Sequence, residues 1–241
     1  MDDVSRETPA AASAVFPADR LPLAERYADL LATEGVLRGL IGPREGARLW
    51  PRHLLSCGVL GRLAPPGATV CDVGSGAGLP GMVVALARPD VHVTLVEPLQ
   101  RRTTFLEEVV SQLGLDNVEV VRGRADLLHG RRVFEVVTSR AVAPLPRLLE
   151  WSMPLVSPTG VLLALKGASA GEEVAAAEEV IHRWALAAPK VLVIGEDVPD
   201  GRATVVRVAW ADPARVGWPL TSGAASQPAG SARSRRRKQS R

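Results

Sequence analysis

Residues 72–81 read "DVGSGAGLPG", four glycines in ten positions directly after the apolar lead-in Thr69-Val70-Cys71. Glycine at this density marks a backbone that turns tightly or lies close against another group. Downstream, short β-rich runs alternate with helical patterns. Strands are expected at 69–73, 91–96, 118–122, 133–138 and 160–165, and helices at about 80–88, 99–113, 145–153 and 171–186. Two further runs, 190–194 and 203–210, are close enough in sequence to pair antiparallel. This alternation predicts an α/β fold, a mostly parallel sheet with helices on both faces. The glycine loop then leaves the first strand beside the strand-order switch point, where such sheets bind ligands.

Two loop chemistries compete. "GAGLPG" (76–81) matches the dinucleotide pattern G-x-G-x-x-G, with Glu97 about 20 residues on. "DVGSGAG" (72–78) matches D-x-G-x-G-x-G, the loop of S-adenosylmethionine methyltransferases. The first leaves Gly74 and Ser75 as an unexplained extension, and the only tyrosine, Tyr27, lies upstream of the fold. Asp72 suits a cationic aminoacyl group better than a pyrophosphate. The methyl donor has no phosphate; its carboxylate can face backbone N–H groups at the following helix start. Glu97, ending "LVEP", is placed to accept from two ribose hydroxyls. Asp126 in "GRADLL" can accept from the adenine amino group beside the Ala125 backbone, or cap a helix.

The upstream segment is helical in pattern. In 21–40 the residues Leu23, Tyr27, Leu30, Leu31 and Leu37 share one side, and 44–63 forms a second stretch that Pro51 interrupts or reopens. Expected boundaries are a flexible leader (1–20), an N-terminal helical extension (21–63), the α/β domain (64–211) and a disordered basic tail (212–241). The formal net charge is +3, yet six Lys/Arg lie beyond Thr221 with no acid, leaving residues 1–220 at −3. Any nucleic-acid face on the body is therefore a local patch. Cys57 and Cys71 have neither metal-ligand nor disulfide spacing. No secretory signal or membrane-spanning run is present, so a cytoplasmic protein with no bound metal and no membrane partner is expected, acting as a monomer.

"VCDVGSGAGLPG", "LVEPLQRRTTFL", "FEVVTSRAVAPL" and "ALKG", in this order and spacing, resemble the glucose-inhibited division protein B family, the ribosomal RNA small subunit methyltransferases G. With "LWPRHLLSC", similar to that family's Arg-His helix, the resemblance spans about 21–210. It implies a class I, Rossmann-like methyltransferase fold with a seven-stranded sheet and methyl transfer to guanine N7 at nucleotide 527 of 16S rRNA. It implies cofactor contacts at Gly74, Leu79, Glu97, Ala125, Asp126 and Arg140; Asp72, Gly76 and Gly78 join them from the loop motif. "LIGPREGA" and Ser56-Cys57 depart from the family's usual Asn-rich segment and acid-Ser pair.

The strand-four exit, "TSRA" (138–141), has neither the Pro-Pro-aromatic motif of amino-group enzymes nor a cysteine nucleophile. Guanine N7 needs no deprotonation, so alignment can be most of the catalysis. Arg140 can hold a carboxylate or phosphate through its planar fork, and Lys166 closes the fifth strand on the same rim. These two are the catalytic candidates, and Arg52, His53 and Lys166 the RNA-binding ones. The five tryptophans read as packing residues, except that Trp50, beside Arg52-His53, is also a base-stacking candidate. The partner is 16S rRNA or the assembling small subunit. Rival readings are a class I methyltransferase with another acceptor, or a non-catalytic RNA-binding module on the same fold.

Overall fold

Strand β1 (Thr69–Val73) is buried on both faces from Val70 onward, with the acidic Asp72 near its loop end. It pairs in parallel with β2 (His92–Glu97) and β4 (Phe134–Arg140). The computed structural model, which describes residues 8–45, 48–217 and 220, has one seven-stranded sheet in the order β3-β2-β1-β4-β5-β7-β6. Here β3 is Val118–Arg122, β5 Val156–Lys166, β6 Lys190–Ile194 and β7 Ala203–Ala209. Strand β7 runs antiparallel to both β5 and β6, as the closeness of the last two runs predicts. The chain leaves β1 at the switch point, where the order reverses between β1 and β4.

Side-chain alternation divides the core. Val70, Val93, Leu95 and Val136 face a layer made by the N-terminal extension with α3 (Gly81–Ala87) and α4 (Gln100–Leu113). Cys71, Val96 and Val137 face the opposite layer, α5 (Leu145–Ser152), α6 (Ala170–Ala176) and α7 (Glu178–Arg183). The helix expected over 171–186 is thus two shorter ones, meeting at the buried Ala177. Among the described residues, no helix is long and apolar enough to cross a membrane.

The extension departs from a plain helical pattern at two turns. Helix α1 (Leu21–Leu30) continues into a π turn, Leu31–Gly35. The wider turn rotates the downstream residues out of phase, so Leu37, expected on the buried side, is 80% exposed. Pro51 opens a second π turn, Trp50–Leu54, where its missing N–H has no partner to lose. This turn leads into α2 (Leu55–Gly58). The leader is not a loose arm throughout. Residues Ala10–Ala14 form a 3-10 turn, Ala12 and Phe16 are buried, and Phe16 meets Trp50 edge-on at 6.1 Å. One large aromatic next to a complementary surface outweighs an Ala/Pro-rich composition. At the other end, Asp212 caps a short turn, Pro213–Arg215, and Leu220 is buried, so the region expected as tail begins in ordered structure. Trp218 and the basic residues beyond Thr221 lie outside the described residues.

Candidate functional site

The loop after β1 is tied to the end of β2: Gly74 and Ser75 both donate their N–H to the Val96 carbonyl, at 2.8 and 3.1 Å. Gly74, Gly76 and Gly78 have φ of +74°, +59° and +101°, values that L side chains rarely adopt. Their surroundings separate them. Gly74 and Gly76 are half-buried, and Gly76 forms the open side. A Cβ on Gly74 would meet Val142, which lies over it from the β4–α5 loop; one on Gly76 would meet nothing closer than 3.9 Å. At Gly78 it would stand 2.7 Å from the Tyr27 hydroxyl and 2.9 Å from the Met82 Cβ. Gly78 therefore packs inward, and Leu79, also expected as a ligand contact, is buried beside it. Tyr27, expected upstream of the fold, is instead fully buried within it and donates its hydroxyl to the Ala77 carbonyl at 2.7 Å.

Two carboxylates frame the loop. Asp72 lies beneath it, fully buried. One oxygen accepts the Gly81 N–H at 2.9 Å and the other has no partner. Burial pushes its pKa up to about 7, against the Gly81 hydrogen bond. Glu97 sits at the loop's edge, buried, accepting from the backbone N–H groups of Gly76 and Leu99, both at 3.0 Å, and facing Arg102 at 3.3 Å. Beyond β3, Ala125 is buried and Asp126 exposed in a 3-10 turn, Ala125–Leu128. The capping position there is Arg124, so Asp126 is not the helix cap. Leu99 and Leu127 are exposed large apolar side chains on the same two loops. Motif reading passes over them because a single exposed leucine has no signature in sequence.

The β4 and β5 ends open onto a cleft of about 1120 Å³ lined by Arg52, Arg140, Lys166 and Arg202 among others. Arg140 reaches across to the extension: its Nη1 donates to His53 Nδ1 at 2.7 Å, with the Cys57 Sγ at 3.7 Å. His53 Nε2 in turn lies 2.7 Å from Glu45, which also pairs with Arg52 at 3.1 Å. Lys166, expected on this rim, lines the cleft but is already paired. Its side chain is 7% exposed, and its ammonium donates to the Ala143 carbonyl at 2.9 Å and to Glu173 at 2.7 Å. Glu173 also accepts the Leu145 N–H at 2.9 Å. Together these contacts bolt down the loop that carries Val142. Glu45 and Glu173 escaped sequence reading because each acts only through a partner brought to it by the fold.

The half-open, left-handed Gly74–Gly76 backbone, the buried Glu97 carboxylate at its edge and the orphaned Asp72 oxygen fit a ligand with polar and cationic groups. A family model described as rRNA small subunit methyltransferase G matches residues 20–196, which takes in the loop, the whole extension and most of the cleft. The protein of that name from a Nocardioides species is 62% identical over 92% of this chain and 90% of its own. Its counterpart in Kineococcus radiotolerans is 52% identical over 95% and 89%. Among solved structures, a tRNA methyltransferase of B. subtilis superposes with a TM-score of 0.51 at 15% identity, covering 66% of each chain, a likeness of fold alone. Sheet order, loop and near full-length identity agree, and the chain belongs to the rRNA small subunit methyltransferase G family.

Proposed function

We propose that the protein transfers a methyl group from S-adenosylmethionine to N7 of a guanosine in 16S rRNA, at nucleotide 527. The observation that carries this reading is that the family match covers both the glycine loop and the Arg140 side of the cleft, the two halves a donor and an acceptor need. The donor, when bound, supplies a methyl group on a positively charged sulfur. Gly74 and Gly76 would lie against it, Glu97 would accept from its ribose, and Ala125 and Asp126 would take its adenine. Both halves come from one chain, which supports action as a monomer, and a ribosomal RNA substrate supports work in the cytoplasm.

The acceptor side needs no base. The N7 lone pair lies in the purine plane and carries no proton, so fixing the guanine in line is the main requirement. Burial pushes the Cys57 thiol up to about 11 and Cys71 higher still, so neither is a thiolate nucleophile at neutral pH. Mass spectrometry of 16S rRNA from cells with and without the gene tests the function. Loss of a single 7-methylguanosine is expected; an unchanged modification set contradicts it.

The exposed Asp126 carboxylate gives a narrower prediction. Because it caps nothing, Asp126→Ala should leave the melting temperature unchanged while weakening donor binding by about 1–3 kcal/mol. Calorimetric titration beside a thermal melt decides between the roles. A lowered melting point with intact affinity would make Asp126 a structural residue.

A further inference from the structure

Tyr27 is the chain's only tyrosine and the one polar side chain that α1 buries. A phenylalanine would fill the same space, and a buried hydroxyl costs free energy unless it is paired. The use of the hydroxyl therefore lies in what it bonds. It donates to the Ala77 carbonyl at 2.7 Å, across 50 residues of sequence. The same peptide unit is gripped at its other edge, where the Gly78 N–H donates to the Ser75 carbonyl at 2.7 Å. On the other side of Ala77, Glu97 accepts the Gly76 N–H at 3.0 Å. Gly76, the open residue of the loop, thus stands between two holds, one from β2 and one from the N-terminal extension. Gly78 is fitted to the second: a Cβ there would stand 2.7 Å from the Tyr27 hydroxyl. Burial pushes the Tyr27 pKa well above its ordinary value, so the group keeps its proton and remains a donor.

We propose that Tyr27 is a positioning residue, which sets the Gly76–Gly78 backbone for S-adenosylmethionine through its bond to the Ala77 carbonyl. The proposal rests on the reading of this loop as the donor's seat. It gives the extension a part in donor binding, besides the share of the cleft that Pro51, Arg52 and Ser56 line. Without the hydroxyl, the Ala77 carbonyl is left buried with no partner, and its peptide unit gains by turning to find one. Glycine at 78 makes that turn easy, because it admits most backbone conformations. The displacement reaches Gly76 through Ala77 alone. The bond holds the loop before and during methyl transfer alike, so its loss weakens donor binding without slowing the chemical step.

Tyr27→Phe removes the hydroxyl and keeps the ring. Val91→Ala is the control, since Val91 is fully buried just before β2, at the opposite end of that strand from the loop. Both substitutions should lower the melting temperature by about 2–8 °C. Methylation of 16S rRNA in small subunits from a strain lacking the gene gives the kinetic constants, and calorimetry gives donor affinity. With Tyr27→Phe, the Kd and KM for S-adenosylmethionine should rise at least about tenfold, while kcat and the KM for rRNA stay within about twofold. With Val91→Ala, all four should stay within about twofold. Unchanged donor affinity in a folded Tyr27→Phe overturns the proposal and leaves the hydroxyl a packing group. An equal loss of affinity in both variants overturns it too, because general loosening would then explain the effect. So does a Tyr27→Phe chain that fails to fold, since the bond would then support the whole fold. Wild-type protein that binds no S-adenosylmethionine would instead refute the donor reading itself.

Discussion

Gly78→Ala is expected to destabilise the fold by about 2–6 kcal/mol, whereas Gly76→Ala should leave it nearly as stable, with at least about tenfold weaker affinity for S-adenosylmethionine. The two glycines stand two residues apart in one motif, but their surroundings differ. At Gly78, with φ +101°, a methyl group would press on the Tyr27 hydroxyl, the Met82 Cβ and Leu106 at 2.7–3.1 Å. Backbone strain and overpacking together cost about 2–6 kcal/mol, a large share of the roughly 5–15 kcal/mol that holds a domain folded. At Gly76 the methyl group meets open space, and the left-handed backbone alone costs about 1–2 kcal/mol. The same methyl group, however, stands on the side assigned to the donor. Thermal melts and calorimetric titrations of both variants check this. Wild-type donor affinity in a folded Gly76→Ala would remove the loop's open side from the site.

Asp72 should make the protein less stable as pH rises from about 5 to about 8, by about 3 kcal/mol. Its pKa is raised to about 7 in the fold by burial. Between the unfolded value near 4 and 7, the folded state therefore holds a proton that the unfolded chain has released. Stability is complete below that window and is lost as pH climbs through it. His53 contributes with the opposite sign, since its lowered pKa leaves it neutral in the fold while the unfolded chain still takes up a proton. The difference between wild type and Asp72→Asn isolates the carboxylate. The amide oxygen can still accept the Gly81 N–H, so the variant should be the more stable at pH 8 and lose that advantage at pH 5. Parallel stability curves for the two proteins would show that Asp72 does not titrate in this range.

The strands are readable because β1, β2 and β4 are covered on both faces, so their sequences are short apolar runs broken by glycine, proline and polar turns. The strand-end positions of Asp72, Glu97 and Arg140 follow from those runs. Direction is not readable in the same way. The loop motif records which backbone positions need glycine, not which face the fold leaves open, and so Gly78 looks like Gly74 and Gly76. Long-range partners are equally silent: Tyr27 with Ala77, Glu45 with His53, and Glu173 with Lys166 gain meaning only once distant elements meet. Phe16 and Leu37 mark two further limits. One aromatic orders a segment whose composition suggests none, and one π turn changes the phase of a helix whose pattern looks continuous.

Direct methyl transfer to guanine N7, with no base and no covalent enzyme intermediate, is the central claim. Methylation at N7 makes the purine ring reducible, and aniline then breaks the RNA chain at that nucleotide. Purified protein, labelled S-adenosylmethionine and 16S rRNA lacking the modification should be incubated, and the RNA then reduced, treated with aniline and mapped by primer extension. One new cut is expected, at guanosine 527, appearing only when both protein and donor are present. Label incorporated into the RNA without any such cut would contradict the claim and place the methyl group on another atom.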